Sequence, residues 1–240
     1  GSEMCIRDSN YVDLLRADGI RAFSFNRCVP VLNLVLNNRD HRKITVIDGQ
    51  VGYTGGYNLA DEYFNLTHPY GRWKDSGVRL EGDAVRNLTL IFLEMWGTTQ
   101  KEMPAIEPYL PAIRYTAREA ATVLPYADNP LDDKRVGEDV YLNFINSAQR
   151  YVYITTPYLI LSDEMQRALV LAAQRGVDVR IITPGIPDKK LIFSVTRSYY
   201  AQLAAGGVQI YEYTPGFIHA KQFVADDKAA AVGTLSLIHI

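Results

Sequence analysis

The sequence predicts an α/β protein made of two pseudo-repeated units, each a mixed sheet flanked by helices. Three observations carry that expectation. Apolar β-branched stretches alternate with stretches of helical period through the second half of the chain. Tyr11, Leu15 and Gly19 recur as Tyr199, Leu203 and Gly207 at a constant offset of 188 positions. His41-Arg-Lys43 recurs as His219-Ala-Lys221 at an offset of 178, and the register then holds, Asp48 matching Asp226 and Gly55 matching Gly233. The difference between the offsets is ten extra residues in one loop of the first copy.

In the first unit, Tyr11–Asp18 reads as a short helix ended by Gly19, followed by a strand around Ile20–Phe25. Lys43–Asp48 and Val51–Thr54 read as two strands around an Asp-Gly turn, and Gly77–Glu81 as a third. Asp83–Trp96 reads as a helix, with Val85, Leu88, Phe92 and Trp96 spaced for one face. Thr98–Leu124 holds Pro104, Pro108 and Pro111 and reads as a connection containing a short helix. In the second unit, Gly137–Ala148 is a helix and Val152–Thr156 a strand. Ser162 is placed to cap the helix Asp163–Gln174, which Gly176 ends. Val177–Ile182 and Val208–Tyr213 are strands on either side of the helix Leu191–Ala205. This succession implies a largely parallel sheet. The division is 10–103 for the first unit, 104–128 for the connection and 129–234 for the second unit. The first is read as lacking its amino-terminal part and the second its carboxy-terminal part. Residues 1–9 and 235–240 lack the periodicity of the body and resemble sequencing-adapter read-through.

Composition excludes several classes. At 48% hydrophobic and 22% charged, the 240 residues have an ordinary globular balance rather than that of a disordered chain. Lys+Arg 25 against Asp+Glu 27 gives a net charge of -2, and neither half is a basic block, so no nucleic-acid partner is expected. The two cysteines, Cys5 and Cys28, form neither a disulfide framework nor a metal-binding cluster. No stretch approaches the roughly 18 apolar residues that cross a bilayer.

Chemistry concentrates in the repeat. Of four histidines, two begin the pattern H-x-K-x-x-x-x-D: His41, Lys43 and Asp48, then His219, Lys221 and Asp226. Residues i and i+2 of a strand share a face, so each histidine and its lysine can reach one ligand. The seven-residue step to aspartate is odd, which makes each Asp a supporting or orienting group rather than the attacker. Two such units facing each other, with His41 and His219 on adjacent strands, would bring two imidazoles and two ammonium groups together. That set suits a phosphodiester. Lysines neutralise the non-bridging oxygens, a neutral imidazole attacks phosphorus, and an imidazolium protonates the leaving oxygen. The lysines already supply positive charge, so no metal and no cofactor are expected. Asn58 could donate to a phosphate oxygen or serve a turn. Asp75, after Trp73, could orient an imidazole of the opposite half.

With this pair of motifs, the sequence resembles the phospholipase D superfamily, whose mark is the paired H-x-K-x4-D. It is most similar to the bacterial cardiolipin synthase branch. Similar stretches include Asn37–Gly49, Gly55–Asn58, Trp73–Asp75 and Glu81-Gly82. In the second half they are Thr156–Tyr158, Arg175–Arg180, Pro184–Asp188 and Gly216–Lys221. The resemblance implies phosphatidyl transfer through a phosphohistidine, joining two phosphatidylglycerols to give cardiolipin and glycerol. It also implies an anionic phospholipid partner, a membrane surface and a cell-membrane location for the intact protein. It favours a phosphate-binding role for Asn58 and gives His41 the nucleophile's part and His219 that of acid and base. A hydrolase of the same superfamily and a non-catalytic lipid-binding piece are the alternatives.

Overall fold

The computed structural model describes residues 11–25, 40–100, 105–117, 121–128, 134–235 and 237–238. Cys5 and Cys28 lie outside the described residues, as does the stretch 26–39 that opens the first motif's similar region. Residues 11–17 form helix α1, and Gly19 follows it in the left-handed conformation at φ +80°. Residues 20–24 are not the expected strand. That segment is held through side chains: the Arg16 Nε donates to the Ala22 carbonyl at 2.9 Å, and Phe23 packs edge-on against Trp96 at 5.1 Å.

The first unit is a three-stranded antiparallel sheet of β1 (Ile44–Ile47), β2 (Val51–Gly55) and β3 (Gly77–Glu81). Asp48 and Gly49 make the β1–β2 turn with φ of +52° and +64°, the paired positive values that match the twist of a hairpin. Helix α2 (Ala84–Thr98) covers this sheet. Its buried positions are Val85, Leu88, Thr89, Leu93 and Gly97. Phe92 of the expected stripe instead faces outward and stacks on Trp96 at 5.8 Å. The connection contains one 3-10 turn, Glu107–Tyr109.

The second unit is a five-stranded mixed sheet in the order β7-β6-β4-β8-β9. Strands β4 (Tyr151–Thr155), β6 (Asp178–Pro184) and β7 (Gln209–Tyr213) are mutually parallel. Strands β8 (Gln222–Ala225) and β9 (Ala229–Val232) run antiparallel beside β4. Between β4 and β6 come the short strand β5 (Leu159–Ile160) and the helix α4 (Asp163–Gln174), preceded by α3 (Val136–Ser147). Ser162 caps α4 as expected, its Oγ accepting from the Met165 N–H at 3.1 Å. The expected helix 191–205 is two, α5 (Lys190–Ser198) and α6 (Tyr200–Ala205), separated at Tyr199. The core lies between this sheet and α3, α4 and α6, where Ile145, Val152, Leu159, Leu169, Ile181 and Leu203 are fully buried. Strand β10 (Leu237–Ile238) pairs parallel with β5 rather than extending β9.

The two motifs therefore start strands of different sheets, and the expectation of adjacent strands is corrected. The units meet elsewhere. Segment 71–74 runs beside segment 215–219, with bridges Gly71–Gly216 and Lys74–Ile218. Arg72 N–H donates to the Pro215 carbonyl at 2.9 Å, Lys74 N–H to Phe217 at 3.0 Å, and His219 N–H to Lys74 at 2.7 Å. Gly216 permits this approach, since a Cβ there would collide with the Arg72 backbone.

Candidate active site

The seam places Asp75 of the first unit against His219 of the second. Asp75 Oδ2 lies 2.7 Å from His219 Nδ1, and its other oxygen accepts from the Ser76 N–H at 2.8 Å. A carboxylate can only accept, so Nδ1 carries the proton and Nε2 is the ring atom left for chemistry. Both side chains are nearly buried, at 7% and 8% exposure. Gly56 makes room for the pair: a Cβ there would strike Asp75 Oδ1 and come 3.2 Å from the His219 carbonyl.

Aromatic rings fix the imidazole further. Tyr63 meets it edge-on at 5.4 Å, and Trp73 and Phe217 lie at 5.3 and 6.0 Å. Asn58 does not contact the histidine. Its Nδ2 donates to the Tyr63 hydroxyl at 2.6 Å and thereby holds the ring that abuts His219. Tyr63, Phe217 and Tyr158 are the site neighbours that reasoning from the sequence did not single out as functional. Tyr158 and Phe217 fall within stretches quoted for the resemblance, whereas only the fold points to Tyr63.

The lysines repeat one arrangement. Lys43 Nζ donates to the His41 carbonyl at 2.6 Å, and Lys221 Nζ donates to the His219 carbonyl. The i, i+2 spacing thus curls each ammonium back beside its own histidine, as the shared strand face implied. The charges of Lys43, Lys221 and His219 all act on the His41 ring, so the two motifs do face a common centre.

That crowding shapes the titrations. His41 is lowered to about 4, first by burial and then by Lys43, Lys221 and His219. His219 is also lowered by burial, but its hydrogen bond to Asp75 pulls the other way. Lys221 is lowered to about 7 and Lys43 to about 8, each chiefly by burial, although Asp75 opposes the shift. A cluster of cations held partly out of water is a site that gains from an anion.

The motif aspartates touch neither imidazole. Asp226, at φ +56°, accepts from the N–H groups of Gln149, Arg150 and Tyr151 at 2.8–2.9 Å. Those bonds lower its carboxyl to about 2 and tie the end of β8 to the start of β4. Asp48, at the same place in the first copy, sits exposed on the hairpin turn and makes no such bond among the described residues. The supporting role expected for these residues is, at Asp226, a structural one acting through the turn. A cavity of about 600 Å³ runs from Asp40, His41 and Arg42 past Leu88 and Met95 to Ala231 and Leu235, leaving the first motif open where the second is enclosed.

Residues 141–238 match the family described as cardiolipin synthase, PLD-like domain. Over 235 residues the chain is 50% identical to an uncharacterized protein of Streptococcus mutans, covering 98% of this chain and 51% of that protein. Over 230 residues it is 38% identical to a cardiolipin synthase of Alkalihalophilus pseudofirmus, covering 95% of this chain and 46% of that enzyme. The chain spans about half the length of these relatives. A solved phosphatidylserine synthase of Haemophilus influenzae overlays 78% of this chain and 52% of its own at a TM-score of 0.49 and 14% identity.

Proposed function

Because the chain belongs to the phospholipase D superfamily, we propose that it supplies the phosphatidyl-transfer centre of a cardiolipin synthase-like enzyme. The observation that carries this reading is the cross-unit pair: a carboxylate-supported His219 facing a His41 that neighbouring cations keep neutral. Neutral imidazole is the nucleophilic form, and a carboxylate partner favours the imidazolium that a general acid must be.

The phosphodiester of a phosphatidylglycerol lies between Lys43 and Lys221, which hold its non-bridging oxygens. His41 attacks phosphorus as the bond to the headgroup glycerol breaks. His219 Nε2–H gives its proton to that departing oxygen. Glycerol leaves, and the phosphatidyl group stays on His41. A headgroup hydroxyl of a second phosphatidylglycerol then yields its proton to His219 Nε2 and attacks phosphorus, breaking the P–N bond. The products are cardiolipin and two histidines in their starting states. Asp75 keeps the His219 proton on Nδ1 throughout. Asn58 acts through Tyr63, on this reading, rather than on phosphate.

Incubation with phosphatidylglycerol labelled in its headgroup and acyl chains tests the proposal. Cardiolipin with free glycerol supports it. Phosphatidic acid with glycerol would assign a hydrolase, and no product would leave a lipid-binding piece.

A further inference from the structure

The four most exposed aliphatic side chains among the described residues are Leu59 at 89%, Leu191 at 80%, and Leu66 and Leu124 at 72% each. Three of the four border the His219 pocket. Leu59 follows Asn58, and Leu66 follows the 3-10 turn Asp61–Phe64, which carries Tyr63 against the imidazole and leaves Phe64 in water. Leu191 stands at the start of α5, just beyond Asp188, whose Oδ2 accepts from the Tyr158 hydroxyl at 2.6 Å. Tyr158 in turn packs on Phe217 at 6.2 Å. Segments 58–70 and 185–195 are thus two lips of one opening.

The lips are joined. A Cβ on Gly71 would come 3.0 Å from Ile186 Cδ1, and Ile186 N–H donates to the Gly216 carbonyl at 3.2 Å. Helix α5 has two characters. Thr196 is buried and bonds the Leu159 N–H, while Leu191 and Val195 face out. Lys189 and Lys190 are exposed at its start, and Arg72 and Lys74 on the segment between the lips. Asp61 and Glu62 give the first lip opposite charge, so attraction for anions falls to the second lip and the middle.

Exposed apolar tips set beside lysines, around a pocket for a phosphodiester, match the chemistry of a bilayer surface. We infer that segments 58–70 and 185–195 seat the chain on an anionic phospholipid bilayer. Leu59, Phe64, Leu66 and Leu191 enter the headgroup layer, and Lys189 and Lys190 meet lipid phosphates. The surface deepens the phosphatidyl-transfer reading and rests on it for the substrate, but its binding can be measured without turnover.

Flotation of the 240-residue chain with vesicles of equal parts phosphatidylglycerol and phosphatidylcholine tests it. The chain should float, and the combined Leu59→Ser, Leu66→Ser, Leu191→Ser variant should bind at least about tenfold more weakly. Leu124→Ser should bind as the parent does. In a second measurement, tryptophan emission from Leu191→Trp should gain a blue-shifted component quenched by brominated lipid, and Leu124→Trp should gain none. A chain that stays unbound, a triple variant that floats as well as the parent, or a tryptophan at 191 that lipid does not quench would overturn the surface. So would self-association that the triple variant abolishes without vesicles. Flotation without cardiolipin formation would retain the surface and remove the transfer reading. Turnover of monomeric short-chain phosphatidylglycerol without flotation would do the reverse.

Discussion

The two H-x-K-x4-D segments have one spacing and two environments. In both, the lysine bends back to its histidine's carbonyl and the aspartate takes a positive φ at a strand end. Beyond that they diverge. His219, Lys221 and Asp226 are 6%, 1% and 5% exposed, set before and after a strand that is second from the edge of a five-stranded sheet. His41 is exposed at the start of an edge strand of a three-stranded sheet. The decisive contact of the second motif, Asp75, comes from the first unit. Local sequence therefore dictates the geometry within each motif, whereas packing between units decides which histidine has a carboxylate behind it. A symmetric pattern becomes an asymmetric pair.

That comparison can be broken most severely at the buried lysine. Lys221→Met keeps the length of the side chain and removes its charge. Turnover of phosphatidylglycerol should fall about 10²–10³-fold, the scale of losing one preorganised donor to a transition-state oxygen. Steady-state assays against the parent check it.

Asp75→Asn should cost less, about 10–100-fold in kcat with KM little changed, because it alters the tautomer and charge preference of His219 without touching substrate. A structural role alone would leave the histidine's titration in place. The carboxylate raises the His219 pKa, so its loss should move that titration further down, as nuclear magnetic resonance of the ring protons would show.

The aspartates should separate in stability. Asp226→Asn should lower Tm by roughly 5–10 °C through weakening of three charge-assisted bonds, and Asp48→Asn should change it by less than about 2 °C. Thermal melts followed by circular dichroism decide it. The Asp226 contribution is present above the usual carboxylate value near 3.8 and is lost as pH falls through about 2.

The smallest effect is in protons. Lys221 and Lys43 are depressed to about 7 and about 8, so the unfolded chain holds more protons than the folded one from about pH 7 up to the ordinary lysine value of 10.5. Stability should rise across that window. Below it, His41 stays neutral until about pH 4, so the stability its neutral ring contributes is lost as pH falls from 6.5 toward 4. An oxyanion such as tungstate favours the charged lysines. Its binding near pH 8–9 should take up about one proton or less per site, and its affinity should fall as pH rises. Calorimetry in buffers of different ionisation enthalpy reads that uptake.

Much of this was legible in the residues. The repeat, the paired histidines and lysines, the Ser162 cap and the parallel core of the second sheet all follow from spacing and local chemistry. The rest depends on contacts distant in sequence. Residues 20–24 have strand composition but are anchored through Arg16 and Phe23. The helix expected over 191–205 breaks at Tyr199, where no glycine or proline marks it. The Asp75–His219 pair spans 144 positions and exists because two backbone segments bridge at Gly71–Gly216 and Lys74–Ile218. Tyr63 carries no signal in its own neighbourhood, since its importance lies in a ring placed edge-on to a histidine of the other unit.

The central claim, that His41 is the nucleophile and His219 its acid and base, is tested most directly by trapping the intermediate. The chain is mixed with radiolabelled phosphatidylglycerol, quenched and digested, and the phosphate adduct is mapped by mass spectrometry. With His219→Ala the label should remain on His41, because neither departure of glycerol nor entry of the acceptor has its proton carrier, and slow formation is followed by slower release. With His41→Ala no adduct should form. A phosphate adduct on His219 in the His41→Ala variant would contradict the assignment and exchange the two roles.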